Sequence, residues 1–357
     1  MKTVAIWAPL RFMNYGDDMQ ALAFALHIKK LGFNVKLFML EENLSKQYGF
    51  ETVSNCEDLF RDVNLCVIAG GAVLVPLNPA KQWLSPSERR YEQDFIDIYM
   101  EVKKNPNLKI CPLSIGGDGK PHWPLWYYGL GRYLLFRSKQ FLDGTVRLEG
   151  DVAQMKSMGR EMRYFPDMLF RSSDYFEPQI LPASKKYRIG FNFKKNYIDE
   201  NMIDAILRYA NEHDDIEFHF TTTHMDKANL HYQYLPEKES KNIIIDKYES
   251  PNQLLGVLGS MDLFITQMLH VGLTGLTMST PCLSYRGPGK TKAFLHSIGG
   301  DWAILNDNIT FEELRDNFFF QSREQLFNKF DVQALNSFKE KSKKHYDLCT
   351  EVVNKYA

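Results

Sequence analysis

The stretch from Met261 to Lys292, MDLFITQMLHVGLTGLTMSTPCLSYRGPGKTK, holds the residues best suited to chemistry. Asp262 to Thr266 is a short apolar run that reads as a buried parallel strand, and His270 follows it where a helix would start. Small residues (Gly272, Thr274, Gly275, Thr277) suit a helix start packed close on a sheet, and Pro281 breaks it. Cys282 to Tyr285 is the next strand, and the basic turn after it carries Arg286, Lys290 and Lys292. Open α/β sheets bind ligands outside the carboxyl ends of their strands. An imidazole at one such end and three cations at the next suit an anionic substrate that needs a proton. Imidazole titrates near neutral pH. Guanidinium forks grip planar anions, and lysine serves as a point charge. The plain alternatives are a strand-end histidine bonded to a backbone carbonyl and a solvated basic loop.

Earlier strand ends supply further candidates. Thr3 to Ala8 is a strand, Pro9 to Tyr15 a loop, and Gly16-Asp17-Asp18 opens a helix to about Lys30 that Gly32 stops. Asp17 is either a base for an attacking hydroxyl or the helix cap, and Asp18 could take either role. Asn14 could orient a hydroxyl or a donor oxygen. Strand Val35 to Leu40 completes a βαβ unit. Strands Asp62 to Ala69 and Lys109 to Ile115 each end in glycines, Gly70-Gly71 and Gly116-Gly117. Such glycines either present backbone N–H groups to an anion or permit a tight turn. Arg147, near the end of a short strand Thr145 to Leu148, is another candidate anion ligand. The aromatic run His122 to Phe141 lines a sugar-binding surface or packs its rings inward as an amphipathic helix.

The chain has 357 residues, which favours two domains. A formal net charge of −1 excludes a global field for nucleic acid or anionic membranes, so basic groups act locally. The 5 cysteines include no CxxC pair and read as buried free thiols in a reducing compartment. The N-terminus lacks a signal-type apolar core, and no run reaches the roughly 20 apolar residues of a membrane helix. The expectation is a soluble cytoplasmic protein, at most peripherally associated with the inner face of the cytoplasmic membrane. His219 and His27 read as structural. His213-Asp214-Asp215 is a cap and turn, and His224 lacks partners at metal-ligand spacing, so no metal site is expected. No P-loop or dinucleotide fingerprint occurs, and no cofactor is expected.

A polar, proline-containing segment from Ser172 to Lys186 reads as a linker. A second series follows: strand Tyr187 to Phe193, helix Glu200 to Glu212, strands Ile216 to Thr221 and Ile243 to Asp246, and a helix capped by Ser250-Pro251. A strand is expected at Ala303 to Leu305. The expected fold is α/β, with two Rossmann-like domains facing across a cleft (GT-B-like). Residues 1–175 form the first domain and 186–330 the second. Residues 331–357 form a helix that packs back on the first domain.

Four segments in order resemble the polysaccharide pyruvyl transferases. They are Asn14-Tyr15-Gly16-Asp17-Asp18-Met19-Gln20, Cys66 to Ala72, Val146-Arg147 with Pro166-Asp167, and Thr266-Gln-Met-Leu-His270 continuing to Leu295. The resemblance implies transfer of a carboxyethylidene group from phosphoenolpyruvate to two hydroxyls of a sugar, with release of phosphate. The acceptor would be a bacterial surface polysaccharide or its lipid-linked precursor, as in exopolysaccharide, O-antigen or capsule. His270 would then protonate the donor and Asp17 act as base. Asn14, Asp18, Arg147, Arg286, Lys290, Lys292, Gly70, Gly71 and Gly116 would line the substrates. The family's arginine two residues before the histidine is Met268 here. The competing readings are a GT-B glycosyltransferase using a nucleotide sugar and a non-catalytic glycan-binding relative.

Overall fold

The computed structural model describes residues 2–75, 86–117, 119, 124–225, 233–237 and 239–357. The chain divides into two compact units, one of residues 1–13, 17–168 and 339–357, the other of residues 14–16 and 169–338. Among the described residues no helix is long and apolar enough to cross a membrane. All five cysteines are buried free thiols.

The sheet of unit 1 consists of β1 (Thr3–Trp7), β2 (Asn34–Phe38), β3 (Glu51–Val53), β4 (Leu65–Ala69) and β5 (Lys109–Leu113), all parallel in the order β3-β2-β1-β4-β5. β4, LCVIA, is buried at every residue, as expected of a strand covered on both faces. The connecting helices are α1 (Tyr15–Lys30), α2 (Glu42–Tyr48), α3 (Cys56–Phe60), α4 (Pro86–Lys104), α5 (Pro124–Arg137) and α6 (Gly150–Ser157). Trp7, Phe95, Phe136 and Phe141 fill the core on one face. A parallel pair, β6 (Thr145–Val146) and β7 (Arg163–Tyr164), extends the unit. Within the aromatic run His122 to Phe141, residues 122–123 and the side chains of 124–128 lie outside the described residues, while Leu135 and Phe136 pack inward.

Unit 2 repeats the plan with β8 (Tyr187–Asn192), β9 (Ile216–Thr221), β10 (Ile243–Asp246), β11 (Leu263–Thr266) and β12 (Cys282–Ser284), parallel in the order β10-β9-β8-β11-β12. Its helices are α7 (Glu200–Glu212), α8 (Pro251–Gly259), α9 (Leu269–Thr277), α10 (Gly289–Ser297), α11 (Phe311–Phe318), α12 (Arg323–Phe327) and the first part of α13 (Val332–Tyr356). Gly275 lets α9 lie against β12, since a Cβ there would sit 2.4 Å from Cys282 Sγ.

Three local expectations are corrected. Asn14, not an aspartate, caps α1: its Oδ1 accepts from Gly16 N–H at 3.0 Å, and Asp17 and Asp18 lie inside the first turn. The basic turn after β12 is shorter than expected, because Gly289 already begins α10 and makes Lys290 and Lys292 helical. Residues 303–305 form no strand. A 3-10 turn, Asp301–Ala303, is followed by a single bridge from Ile304 to Ser284.

Candidate functional site

In each sheet the first strand of the series has neighbours on both sides, so the connections reverse direction there. Such switch points leave a crevice at the strands' carboxyl ends. In unit 2 the reversal lies between β8 and β11. A pocket of about 410 Å³ opens there, lined by Asn192 at the end of β8, Lys194 just after it, His224 after β9, Met268 after β11, and Asn14.

Asn14, Tyr15 and Gly16 are built into this unit. Asn14 pairs with His224 in an antiparallel bridge, and Tyr15 N–H donates to Thr223 carbonyl at 2.8 Å. The buried Tyr15 hydroxyl donates to Thr274 Oγ1 at 2.8 Å, and that hydroxyl donates to His270 carbonyl at 2.7 Å. His270 occupies the first turn of α9, half-buried, with the Nδ1 edge of its ring close to Gly16: a Cβ on Gly16 would lie 1.9 Å from Nδ1. Two segments 254 residues apart in number, Gly16 and His270, are thus joined by a contact that leaves no room for a side chain at position 16 unless the imidazole moves.

The other candidates fall into separate settings. Arg286, at φ 49°, donates from Nε to Asp307 carbonyl at 2.8 Å and from Nη1 to Tyr197 carbonyl at 3.1 Å. It therefore braces the pocket wall that carries Tyr197. Lys290 and Lys292 are half-buried in the first turn of α10 and do not line the pocket.

Asp17, Asp18, Arg147 and the glycines belong to unit 1. Its own switch point, between β1 and β4, holds the Gly70-Gly71 turn. The idea that these glycines offer N–H groups to an anion is overturned. Gly70 N–H donates to Leu113 carbonyl (2.8 Å), Gly71 N–H to Gln20 Oε1 (2.9 Å) and Gly116 N–H to Gly71 carbonyl (3.0 Å). Buried amides require such partners. Both turn glycines have positive φ, 61° and 75°, which is why glycine is needed. Arg147 is buried and committed as well, donating to Asp167 Oδ2 at 3.1 Å and to Gly71 carbonyl at 3.2 Å. Gln20 completes the network through Asp167. Arg147 therefore holds the turn. Asp17 faces the same turn, its Oδ1 3.6 Å from where a Gly71 Cβ would be, while Asp18 is buried.

His219 and His27 are structural in setting. His219 Nδ1 meets Asp246 Oδ2 at 2.8 Å, and His27 Nε2 meets Thr350 Oγ1 at 2.9 Å. Burial lowers the pKa of His27. Among the described residues no group of His, Cys, Asp and Glu could hold a metal ion.

The sequence profile of the polysaccharide pyruvyl transferases matches residues 14–286, from the capping asparagine of α1 to Arg286. The chain belongs to the polysaccharide pyruvyl transferase family. No curated protein matches it. Solved structures resemble it in fold. The UDP complex of S. aureus MnaA superposes with a TM-score of 0.62 at 10% identity, covering 100% of this chain and 97% of that one. The UDP-GlcNAc 2-epimerase of Methanocaldococcus jannaschii gives 0.60 at 11%, covering 98% and 100%. Anabaena Alr3699/HepE in complex with UDP-glucose gives 0.57 at 8%, covering 99% and 100%. The fold of this pyruvyl transferase family member is GT-B-like, built of two Rossmann-like domains.

The family motif thus acquires a physical content. Its glycine accommodates the imidazole, its asparagine caps α1 and lines the pocket, and its tyrosine position ties both to α9. Met268, where the resemblance expects arginine, faces the same pocket. Sequence reading missed Lys194, Tyr197 and Gln267, and it dismissed His224, which lines the pocket. The usable signal was position: Lys194 follows the first strand of the second series, on the switch-point side.

Proposed function

We propose that this protein transfers the carboxyethylidene group of phosphoenolpyruvate to two hydroxyls of a sugar in a surface polysaccharide or its lipid-linked precursor, as the resemblance of its motifs implies. The observation that carries the reading is the imidazole of His270 seated on Gly16 beside the switch-point pocket, inside the segment that matches the family. His270 is the acid that protonates C3 of the enol, since imidazole as a side-chain type suits proton transfer near neutral pH. C2 then gains cation character and the first sugar hydroxyl bonds to it. Phosphate leaves from C2, the second hydroxyl takes its place, and the ketal closes. One hydroxyl proton balances the proton spent on C3 and the other departs with phosphate. Asp17 is the proposed base for a hydroxyl. Arg286 and the α10 lysines contribute positive potential around the anionic donor.

Incubation with phosphoenolpyruvate and the host's surface glycan should release phosphate and add the carboxyethylidene increment to the glycan, read by mass spectrometry. Replacement His270→Ala should abolish transfer while circular dichroism and the unfolding midpoint stay near wild type. Turnover of a nucleotide sugar with no phosphate released from phosphoenolpyruvate would instead favour the glycosyltransferase reading, in line with the UDP and UDP-glucose bound to the MnaA and HepE neighbours.

A further inference from the structure

Lys194 is the ammonium on the wall of the switch-point pocket, and the described residues that line it include no Asp or Glu. No carboxylate among the described residues pairs with Lys194. Its Nζ lies 5.9 Å from the centre of the Tyr197 ring. The backbone that carries it is held with unusual thoroughness. Gln267, 3% exposed, accepts from Lys194 N–H through Oε1 at 2.7 Å and donates from Nε2 to Tyr197 carbonyl at 3.1 Å. One buried amide therefore spans the whole turn from Lys194 to Tyr197. Tyr197 N–H closes the turn on Lys194 carbonyl at 3.0 Å, and Arg286 adds a second donor to Tyr197 carbonyl. An antiparallel bridge to Gln233 holds Lys194 from the other side. Across the pocket, Asn14 has its Oδ1 occupied by Gly16 N–H, which leaves Nδ2 as a donor.

A cation carried on a braced backbone, with no carboxylate partner among the described residues and beside the Asn14 amide and the apolar Met268 and Phe193, is an arrangement complementary to a compact anion. We infer that this pocket is an anion subsite in which Lys194 contacts a carboxylate or phosphate of the donor, with Gln267 as its positioning residue. The inference rests on the pyruvyl transfer reading for the donor's identity, and it assigns the charge that Met268 does not supply.

The test is isothermal titration of the full-length protein with phosphoenolpyruvate, inorganic phosphate and UDP, alongside steady-state kinetics. Lys194→Gln should weaken phosphoenolpyruvate binding by about 10- to 100-fold, the range expected for losing a hydrogen bond to a charged group. Lys194→Arg should restore most of it. Gln267→Leu should raise KM for phosphoenolpyruvate more than it lowers kcat. The Lys194→Gln/Gln267→Leu pair should bind no worse than Lys194→Gln alone, a non-additivity that general destabilisation would not produce. If Lys194→Gln binds and turns over phosphoenolpyruvate like wild type, the subsite is refuted while the pyruvyl reading stands. If wild type binds UDP but not phosphoenolpyruvate, and Lys194→Gln weakens UDP, the subsite stands and the pyruvyl reading falls. Wild-type protein that binds none of the three overturns the subsite.

Discussion

At the scale of single residues, the close approach of Gly16 to His270 makes a demanding prediction. A methyl at position 16 would overlap the imidazole, with 1.9 Å to Nδ1. Gly16 is also pinned, because its N–H is bonded to Asn14 and the neighbouring Tyr15 is buried and tied to Thr223 and Thr274. The ring must therefore yield. Gly16→Ala should cut turnover by about 100-fold, the usual cost of moving a reacting group by an ångström. Substrate binding and the unfolding midpoint should change little. Normal kcat in this variant would remove His270 from the chemistry. The motif residues Asn14, Gly16, Asp17 and His270 were legible in the sequence because family resemblance weighs type and order. The reason for the glycine was not legible, since it depends on a residue far along the chain. Lys194 and Gln267 were silent for a related cause: a lone lysine after a strand and a glutamine inside TQM have no spacing that marks them.

At the scale of elements, strands with continuous apolar runs followed by glycine could be read directly, and both parallel sheets follow from them. The short pieces were hidden. β3 and the helices α2 and α3 are 3, 7 and 5 residues long, too brief to show a period. The glycine turns were found, but which of their two roles applies was not legible, because the sequence does not reveal that Gln20, Leu113 and Gly71 already accept their amides. Arg147, read as a candidate anion ligand, is likewise committed inside the fold. It links the end of β6 to the Gly70-Gly71 turn through a buried pair with Asp167. Removing one partner leaves a buried charge uncompensated. Arg147→Met should destabilise unit 1 by about 3 kcal/mol or more in urea denaturation, whereas a replacement that merely removed a substrate contact would leave stability intact.

At the scale of the molecule, the division into two α/β units was visible in the repeated strand pattern, but its boundaries were not. The passage to unit 2 comes at Leu169, ahead of the proline-containing segment, and residues 14–16 belong to unit 2 although they open a helix of unit 1. The last part of α13 belongs to unit 1, where His345 is fully buried, its ring nitrogens at 2.7 Å from Thr145 Oγ1 and 2.9 Å from Pro166 carbonyl. Burial pushes the pKa of His345 down from 6.5 to about 4. Because the folded value lies below the unfolded one, the unfolded chain takes up a proton first as pH falls. The neutral ring's contribution is complete above pH 6.5 and is lost progressively until pH passes about 4. The total loss is on the order of 3 kcal/mol. Asp94 opposes it, for burial outweighs Arg11 and raises its carboxyl from 3.8 to about 6, so the folded protein binds that proton more tightly. The wild-type profile is consequently flattened, and the difference between proteins isolates the histidine. Measured by urea unfolding from pH 7.5 to pH 4, wild type should lose stability relative to His345→Gln as pH falls, with the gap closing or reversing below about pH 5. Parallel profiles would mean that the His345 ring is charged inside the fold, contrary to what its complete burial favours.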